Sequence, residues 1–306
     1  MNSPNDPIDG RDWALLALLS VLWGGSFFFS GFALHDLTPL TLVFVRVALA
    51  AMILAPLLWA YRIEFPSGFS GWRPFFVIAL LNNVLPFSLI VVAQTYIASG
   101  LASILNATTP LFTLMVMAVA GEEQLSVRRI AGLLIGLIGV AVLHGTELSF
   151  DKRQRVGILL CLAVAFSYGL SALYARRKLL KSPPLATATF QLLASSLMMA
   201  ILAALIERPW RLAMPGVTTW LAMAGLAAMS TALAYIVFFR ILGRSGSTNV
   251  MLVTLLIPVT ALLLGYLILD EPVSRRELIG ATVIGSSLLL IDGRALGVVR
   301  RRLSTA

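Results

Sequence analysis

"GEEQLSVRR" (residues 121–129) and "LDEPVSRRE" (residues 269–277) are one piece of polar punctuation written twice. At an offset of 148, Glu123 falls on Glu271, Ser126 on Ser274 and Arg128 on Arg276. Each stretch follows a long apolar run with a single proline. Pro110 and Pro258 keep the same offset, and so do Gly132 and Gly280 beyond the loops. A weaker trace, "TPLTLVFVRVALA" (38–50) against "PPLATATFQLLAS" (183–195), repeats at an offset of 145. The chain reads as two copies of one unit.

The composition says what the unit is made of. Of 306 residues, 59% are hydrophobic and only 12% charged, with a mean hydropathy of +0.92. A soluble domain carries about 25% charged residues, so this chain belongs in a bilayer, which becomes its principal partner. A hydrocarbon core about 30 Å thick takes roughly 20 apolar residues per helix. Ten such runs are expected, at about 13–34, 39–61, 73–95, 98–120, 128–145, 157–177, 184–206, 216–240, 246–269 and 277–293. They are continuous rather than alternating, which argues against a β-barrel. The residues before the first run hold Asp6, Asp9 and Asp12 beside Arg11, which is no basic n-region, and the run has no clear cleavage site, so it should stay in the membrane rather than act as a secretory signal. The expected fold is an all-α integral membrane protein, with one repeat over 13–145, a second over 157–293 and a basic tail over 294–306.

Orientation follows from Lys and Arg. With a cytoplasmic N-terminus, fifteen basic residues fall inside and seven outside, and Arg46 lies within a span. Both termini are therefore expected in the cytoplasm, with 121–128 inside and 146–156 outside. The net charge of +9 reflects this loop bias and gives no reason to invoke nucleic acid. Five spans separate the two punctuation marks. Five is odd, so the copies run in opposite directions: the inverted-topology repeat of many secondary transporters.

Several motifs resemble the drug/metabolite transporter superfamily, and within it the EamA-type ten-helix exporters. "WGGSF" (23–27) is similar to the first-helix motif, and "FVRVALA" (44–50) to the second-helix Phe-x-Arg pattern. The strongest match is "ALAYIVFFRILGRSGSTNVMLVTLLIPVTALLLGYLILDEPVSRRELIGATVIGSSLLL" (232–290). Its first copy is "ASILNATTPLFTLMVMAVAGEEQLSVRRIAGLLIGLIGVAVL" (102–143). The Gly-Glu-Glu-Gln of the first copy departs from the family's Gly-Glu. The chain also resembles the YddG-like exporters of aromatic and other amino acids. This resemblance implies metabolite efflux across a bacterial cytoplasmic membrane, with no cofactor.

Individual residues carry two readings each. Pro110 and Pro258 break a helical hydrogen bond in mid-span, either as static kinks or as hinges. Trp23 is mid-span while the other tryptophans mark span ends; it packs beside Gly24 and Gly25, or lines an aromatic pocket with Phe27. Polar residues in hydrocarbon are costly unless they meet one another or a cavity. Asn82, Asn83, Asn106, Thr109, Tyr168, Ser171, Ser230, Thr231 and Tyr235 are mid-span, serving as interhelical glue or as cavity lining. The chosen lining set is Trp23, Phe27, Asn82, Asn83, Asn106, Tyr168 and Tyr235. Arg46 is expected either to snorkel to the interface or to meet a substrate carboxylate; its repeat partner Gln191 is neutral. Gly132, Gly136, Gly139, Gly280 and Gly285 suit close helix packing. Cys161 lies alone in an apolar run and suits packing.

All fourteen acidic residues fall in loops, tails or span ends, so no proton relay crosses the midplane. Glu123 and Glu271 are expected to close turns or to pair with neighbouring Arg. His35 and His144 are far apart, and no clustered acid, base or metal group marks an enzyme. The reading is an alternating-access exporter of amino acids, aromatic or hydrophobic ones favoured. A passive metabolite channel and an exporter of drugs or other metabolites are the alternatives.

Overall fold

The computed structural model describes residues 10–124, 126–144, 152–238, 240–241 and 253–292. The regular elements of these residues are all helical. The helices, numbered in chain order, are α1 Gly10–Ala33, α2 Pro39–Ala60, α3 Gly68–Ala93, α4 Ser99–Val119, α5 Val127–His144, α6 Lys152–Lys178, α7 Pro184–Ile206, α8 Val217–Phe238, α9 Val253–Ile268 and α10 Arg275–Asp292. Seven of them (α1–α4 and α6–α8) are long and apolar enough by themselves to cross a bilayer. The shorter α5 and α10 begin with Arg pairs, and α9 contributes an apolar stretch over Leu256–Ile268. The expected runs and the helices differ most at α6. Residues 152–156, assigned to the central linker, form its first turns, since Lys, Arg and Gln are good helix formers and no Gly or Pro stops them. The expected segment 146–150, the tail at 294–306 and the start of the ninth run lie outside the described residues.

The two repeats interlock. Helix α1 packs on α8 and α9, while its counterpart α6 packs on α3 and α4. Helix α2 packs on α7, and α5 on α10, each repeat partner on its own counterpart. Each of these contacts is thus matched by its mirror in the other half, as a pseudo-two-fold axis in the membrane plane requires. Close packing, not exclusion of water, holds such an interface in lipid, and small residues bring the backbones together. A Cβ at Gly24 of α1 would lie 2.7 Å from Thr260 Cβ of α9. A Cβ at Gly139 of α5 would lie 3.1 Å from the Ile284 nitrogen of α10. Gly132 faces α10 in the same way, and Gly136 meets Leu111 of α4 and Ser287 of α10, but Gly285 faces open space and is not a packing glycine. Large apolar side chains such as Met52, Leu159, Ile201 and Leu221 point outward to lipid.

The repeat is also written in the backbone. Helices α2 and α7 end on left-handed Arg62 and Arg208, and α4 and α9 end on left-handed Gly121 and Asp270. Helices α3 and α8 each widen into a π turn, at Leu80–Val84 and Ala228–Leu233. In α3 the cause is Pro86, which has no N–H to give Asn82 and whose ring crowds that carbonyl. In α8 no proline is needed: the Thr231 hydroxyl donates to the Leu226 carbonyl at 2.9 Å, taking over an acceptor that the turn frees. The matched prolines behave differently. Helix α4 breaks at Ala107–Thr108, and Pro110 opens its second half. There Thr108 and Thr109 hydroxyls donate to the Leu105 and Asn106 carbonyls. Pro258 sits inside an uninterrupted α9, where the preceding residues are Leu255, Leu256 and Ile257, without such hydroxyls.

Candidate functional site

The π turns aim polar side chains at the centre, where the halves meet. From α3, the Asn82 amide donates to Gln191 Oε1 of α7 at 3.2 Å, and the Asn83 amide donates to Ser195 Oγ at 3.0 Å. From α8, Tyr235 donates to Asn83 Oδ1 at 3.4 Å and accepts from Gln191 Nε2 at 3.5 Å. From α6, Ser171 donates to Asn82 Oδ1 at 3.2 Å, and Ser167 donates to the Leu81 carbonyl. Arg46 of α2 completes the cluster: its Nε donates to Thr231 Oγ1 at 3.1 Å. Its guanidinium carbon lies 3.9 Å from the centre of the Phe87 ring. Tyr168 and Tyr235 stand within electrostatic reach of that cation.

The two-fold relation is visible here too. Arg46 reaches from α2 to the π turn of α8, and Gln191, its repeat partner, meets the π turn of α3. One half uses a cation where the other uses an amide. Arg46 does not snorkel. It is 6% exposed and lies inside the protein. Its two terminal nitrogens make no hydrogen bond among the described residues, and no carboxylate lies within ion-pair distance there.

Bond lengths divide the cluster in two. Contacts to the backbone are short, such as Ser195 to the Gln191 carbonyl at 2.6 Å. Contacts between side chains run from 3.0 to 3.5 Å, from the commonest N–H···O length to beyond the usual range. The longest of them, Asn82 to Asn83 and Gln191 to Tyr235, are its weakest joints.

Of the expected lining residues, Asn82, Asn83, Tyr168 and Tyr235 are brought together, with Arg46 beside them. Trp23 packs on Phe238 with ring centres 5.6 Å apart. Phe27 is buried in the core, and its carbonyl accepts from Gln94. Asn106 stands apart on α4, its buried Oδ1 unpartnered among the described residues. Sequence reading missed Ser167, Ser195 and Phe87. The Gln191–Ser195 spacing, one helical turn, was the available signal. Where the central cavity is expected, these side chains hydrogen-bond to one another. A cleft of about 530 Å³ lies elsewhere, between α4, α9 and α10, lined mainly by aliphatic residues such as Ile104, Leu262 and Leu288.

Both ends of the cluster are closed, by different chemistry. At one end carboxylates cross between the repeats to cap helix N-termini. Glu207, after α7, accepts from the Leu40 and Thr41 N–H groups of α2 at 2.9 and 2.7 Å and from both Thr38 and Thr41 hydroxyls. Glu271, after α9, accepts from the Ser99 and Gly100 N–H groups of α4. Asp36, after α1, accepts from Gly216 N–H and the Thr219 hydroxyl of α8. The Thr219 hydroxyl, then the Gly216 N–H, hold the Asp36 carboxyl below the usual range. At the other end rings close the space: Phe190 lies 5.1 to 5.5 Å from Phe75, Phe65 and Trp72. Beside them Glu123 pairs with Arg129, and Glu122 with Arg176 and Arg177. The Arg177 hydrogen bond, foremost, holds Glu122 low.

Known proteins share this plan. A solved crystal structure aligns over 92% of this chain and 98% of its own, with a TM-score of 0.65 at 19% identity, which establishes a common fold. The probable amino-acid metabolite efflux pump of Escherichia coli is 28% identical over 92% of this chain and 94% of its own. The uncharacterized transporter YoaV of Bacillus subtilis is 23% identical over 88% and 93%. The EamA-like transporter family matches twice, over residues 12–144 and 155–292. With both copies present and each spanning five helices, the chain belongs to the EamA-like transporter family and is a membrane transporter, not an enzyme.

Proposed function

We propose that the protein exports amino acids, aromatic or hydrophobic ones favoured, from the cytoplasm across a bacterial inner membrane by alternating access. The observation that carries this reading is the hydrogen-bonded polar cluster at the repeat interface, bounded by Tyr168, Tyr235 and Phe87. A zwitterion needs donors and acceptors side by side, and the amides of Asn82, Asn83 and Gln191 supply both. A hydrophobic side chain needs apolar and aromatic walls. The E. coli relative, a probable amino-acid metabolite efflux pump, supports the same substrate class.

Inverted repeats supply the mechanism. Each half adopts the other's shape in turn, so the carboxylate-capped end and the ring-closed end open alternately around one site. The test is counterflow in proteoliposomes, with labelled phenylalanine outside and a panel of unlabelled amino acids inside. Uptake accelerated by internal amino acid is expected. Uptake indifferent to internal amino acid identifies a channel, and no uptake with any member of the panel removes amino acids from the list.

A further inference from the structure

We propose that Arg46 is the carboxylate anchor of the transport site, so that the protein selects substrates by a carboxylate and rejects their amide and amine analogues. The proposal deepens the amino-acid reading and rests on it for the location of the site. A guanidinium taken out of water is costly unless paired, by several kcal/mol in real proteins. Here it is 6% exposed, and among the described residues its partners are one hydroxyl and one ring face. Thr231 holds Nε, and Phe87 fixes the plane from one side. That leaves the Nη edge of the guanidinium as the unused edge. A planar fork with its donors free matches a carboxylate in two parallel hydrogen bonds.

The fold does not demand this charge. Gln191 occupies the equivalent place in the second repeat and is satisfied by Asn82 and Tyr235. A cation on one side of a pseudo-symmetric site and amide oxygens on the other make a polar axis. A zwitterion lies along it with its carboxylate at Arg46 and its ammonium among Asn82 Oδ1, Asn83 Oδ1 and the Tyr235 hydroxyl. One consequence concerns kinetics. Reorientation of the unloaded carrier takes an uncompensated cation through the closed state, whereas the loaded carrier takes a paired one. Exchange is then faster than net flux, and the difference belongs to Arg46.

Four compounds sharing one ring separate the claims: phenylalanine, phenylalaninamide, phenylethylamine and 3-phenylpropionate. Each is tested as a competitor of counterflow and as a stabiliser of the purified protein against heat. In the wild type, phenylalanine and phenylpropionate should act about thirty-fold more strongly than the amide and the amine, the discrimination expected of a buried charged pair. Arg46→Gln should bring all four within a few-fold of one another and abolish the acceleration of exchange over net flux. Arg46→Lys, which keeps charge without the fork, should recover part of the discrimination. If Arg46→Gln does not fold, the wild-type selectivity alone decides. Equal action of the amine and amide with phenylalanine in the wild type overturns the anchor while amino-acid transport stands. Transport of phenylpropionate without phenylalanine upholds the anchor and overturns the amino-acid reading. No action by any of the four in either measurement overturns the anchor.

Discussion

Tyr235 of the second repeat reaches across to the first. Its hydroxyl donates to Asn83 of the first repeat and accepts from Gln191 of the second, so it ties both halves at the point where they must separate. A hydroxyl of this kind contributes about 1 kcal/mol net. Tyr235→Phe keeps the ring and loses the tie. The expected outcome is a folded protein with an apparent KM for phenylalanine raised about five-fold, read in proteoliposomes. Asn82→Leu is more severe, since it also leaves Gln191 Oε1 and Ser171 without their partner, and transport should fall to background. Unchanged flux in both variants would place the path away from this cluster. The sequence named Asn82, Asn83, Tyr168 and Tyr235 because polar groups in hydrocarbon are conspicuous. It could not name Phe87 or Ser195, which look like ordinary lipid-span residues until their neighbours are known. It also overvalued Trp23 and Phe27, since an aromatic ring in mid-span fills a core as readily as it lines a site.

Helices were legible where their causes are local. Apolar runs of about 20 residues, closed by Pro, Gly and charge, gave boundaries close to those of α2, α4 and α7. What could not be read was contact between distant segments. Glu207 caps a helix 166 residues away, and nothing near Glu207 in the sequence announces it. The matched prolines show a related limit. Pro110 and Pro258 are equivalent in spacing, yet only α4 breaks, because Thr108 and Thr109 can absorb the freed carbonyls. This asymmetry refines the hinge reading. Pro110→Ala restores a donor at a place where the helix is already interrupted, and it should slow turnover by stiffening that break. Pro258→Ala restores a missing hydrogen bond within a continuous helix and should slow turnover by removing the one weak point of α9. Both proteins should insert normally. Wild-type turnover in both would reduce the prolines to static kinks. The cap at α8 makes a separate prediction about acid. Asp36 is held below its ordinary value of 3.8 by the folded protein, so its contribution to stability is complete above that value and is lost as pH falls through the lower folded value. Thermal unfolding in detergent should show wild type above Asp36→Asn at pH 7, and the two converging in strong acid.

Taken together, the two closed ends and the site between them set what the transporter needs to run. From the Lys and Arg bias we expect the ring-closed end, beside Arg62, Arg73, Arg176 and Arg177, in the cytoplasm. The carboxylate-capped end then faces out. In intact cells an impermeant thiol reagent should label Thr218→Cys and spare Gln124→Cys, with little background from Cys161, which is buried; the reverse pattern would invert the orientation. Coupling follows from where the acids are. Asp36, Glu207 and Glu271 sit at the outer end, Glu122 and Glu123 at the inner, and none of them touches the central cluster. A proton could reach those carboxylates only at a helix end, outside the hydrogen-bonded network that would hold the substrate. On the proposed reading the substrate's carboxylate meets Arg46 and its ammonium meets the amides, while the substrate itself carries no net charge. Net movement of a neutral zwitterion then requires no ion to travel with it. We therefore expect labelled phenylalanine to run down its own gradient in proteoliposomes at equal pH on both sides, with little change when a pH gradient is imposed. Flux that appears only with the gradient would refute this and would move attention to the outer carboxylates. Glu271→Gln would then be the first substitution to make, because Glu271 alone among them closes the broken helix α4.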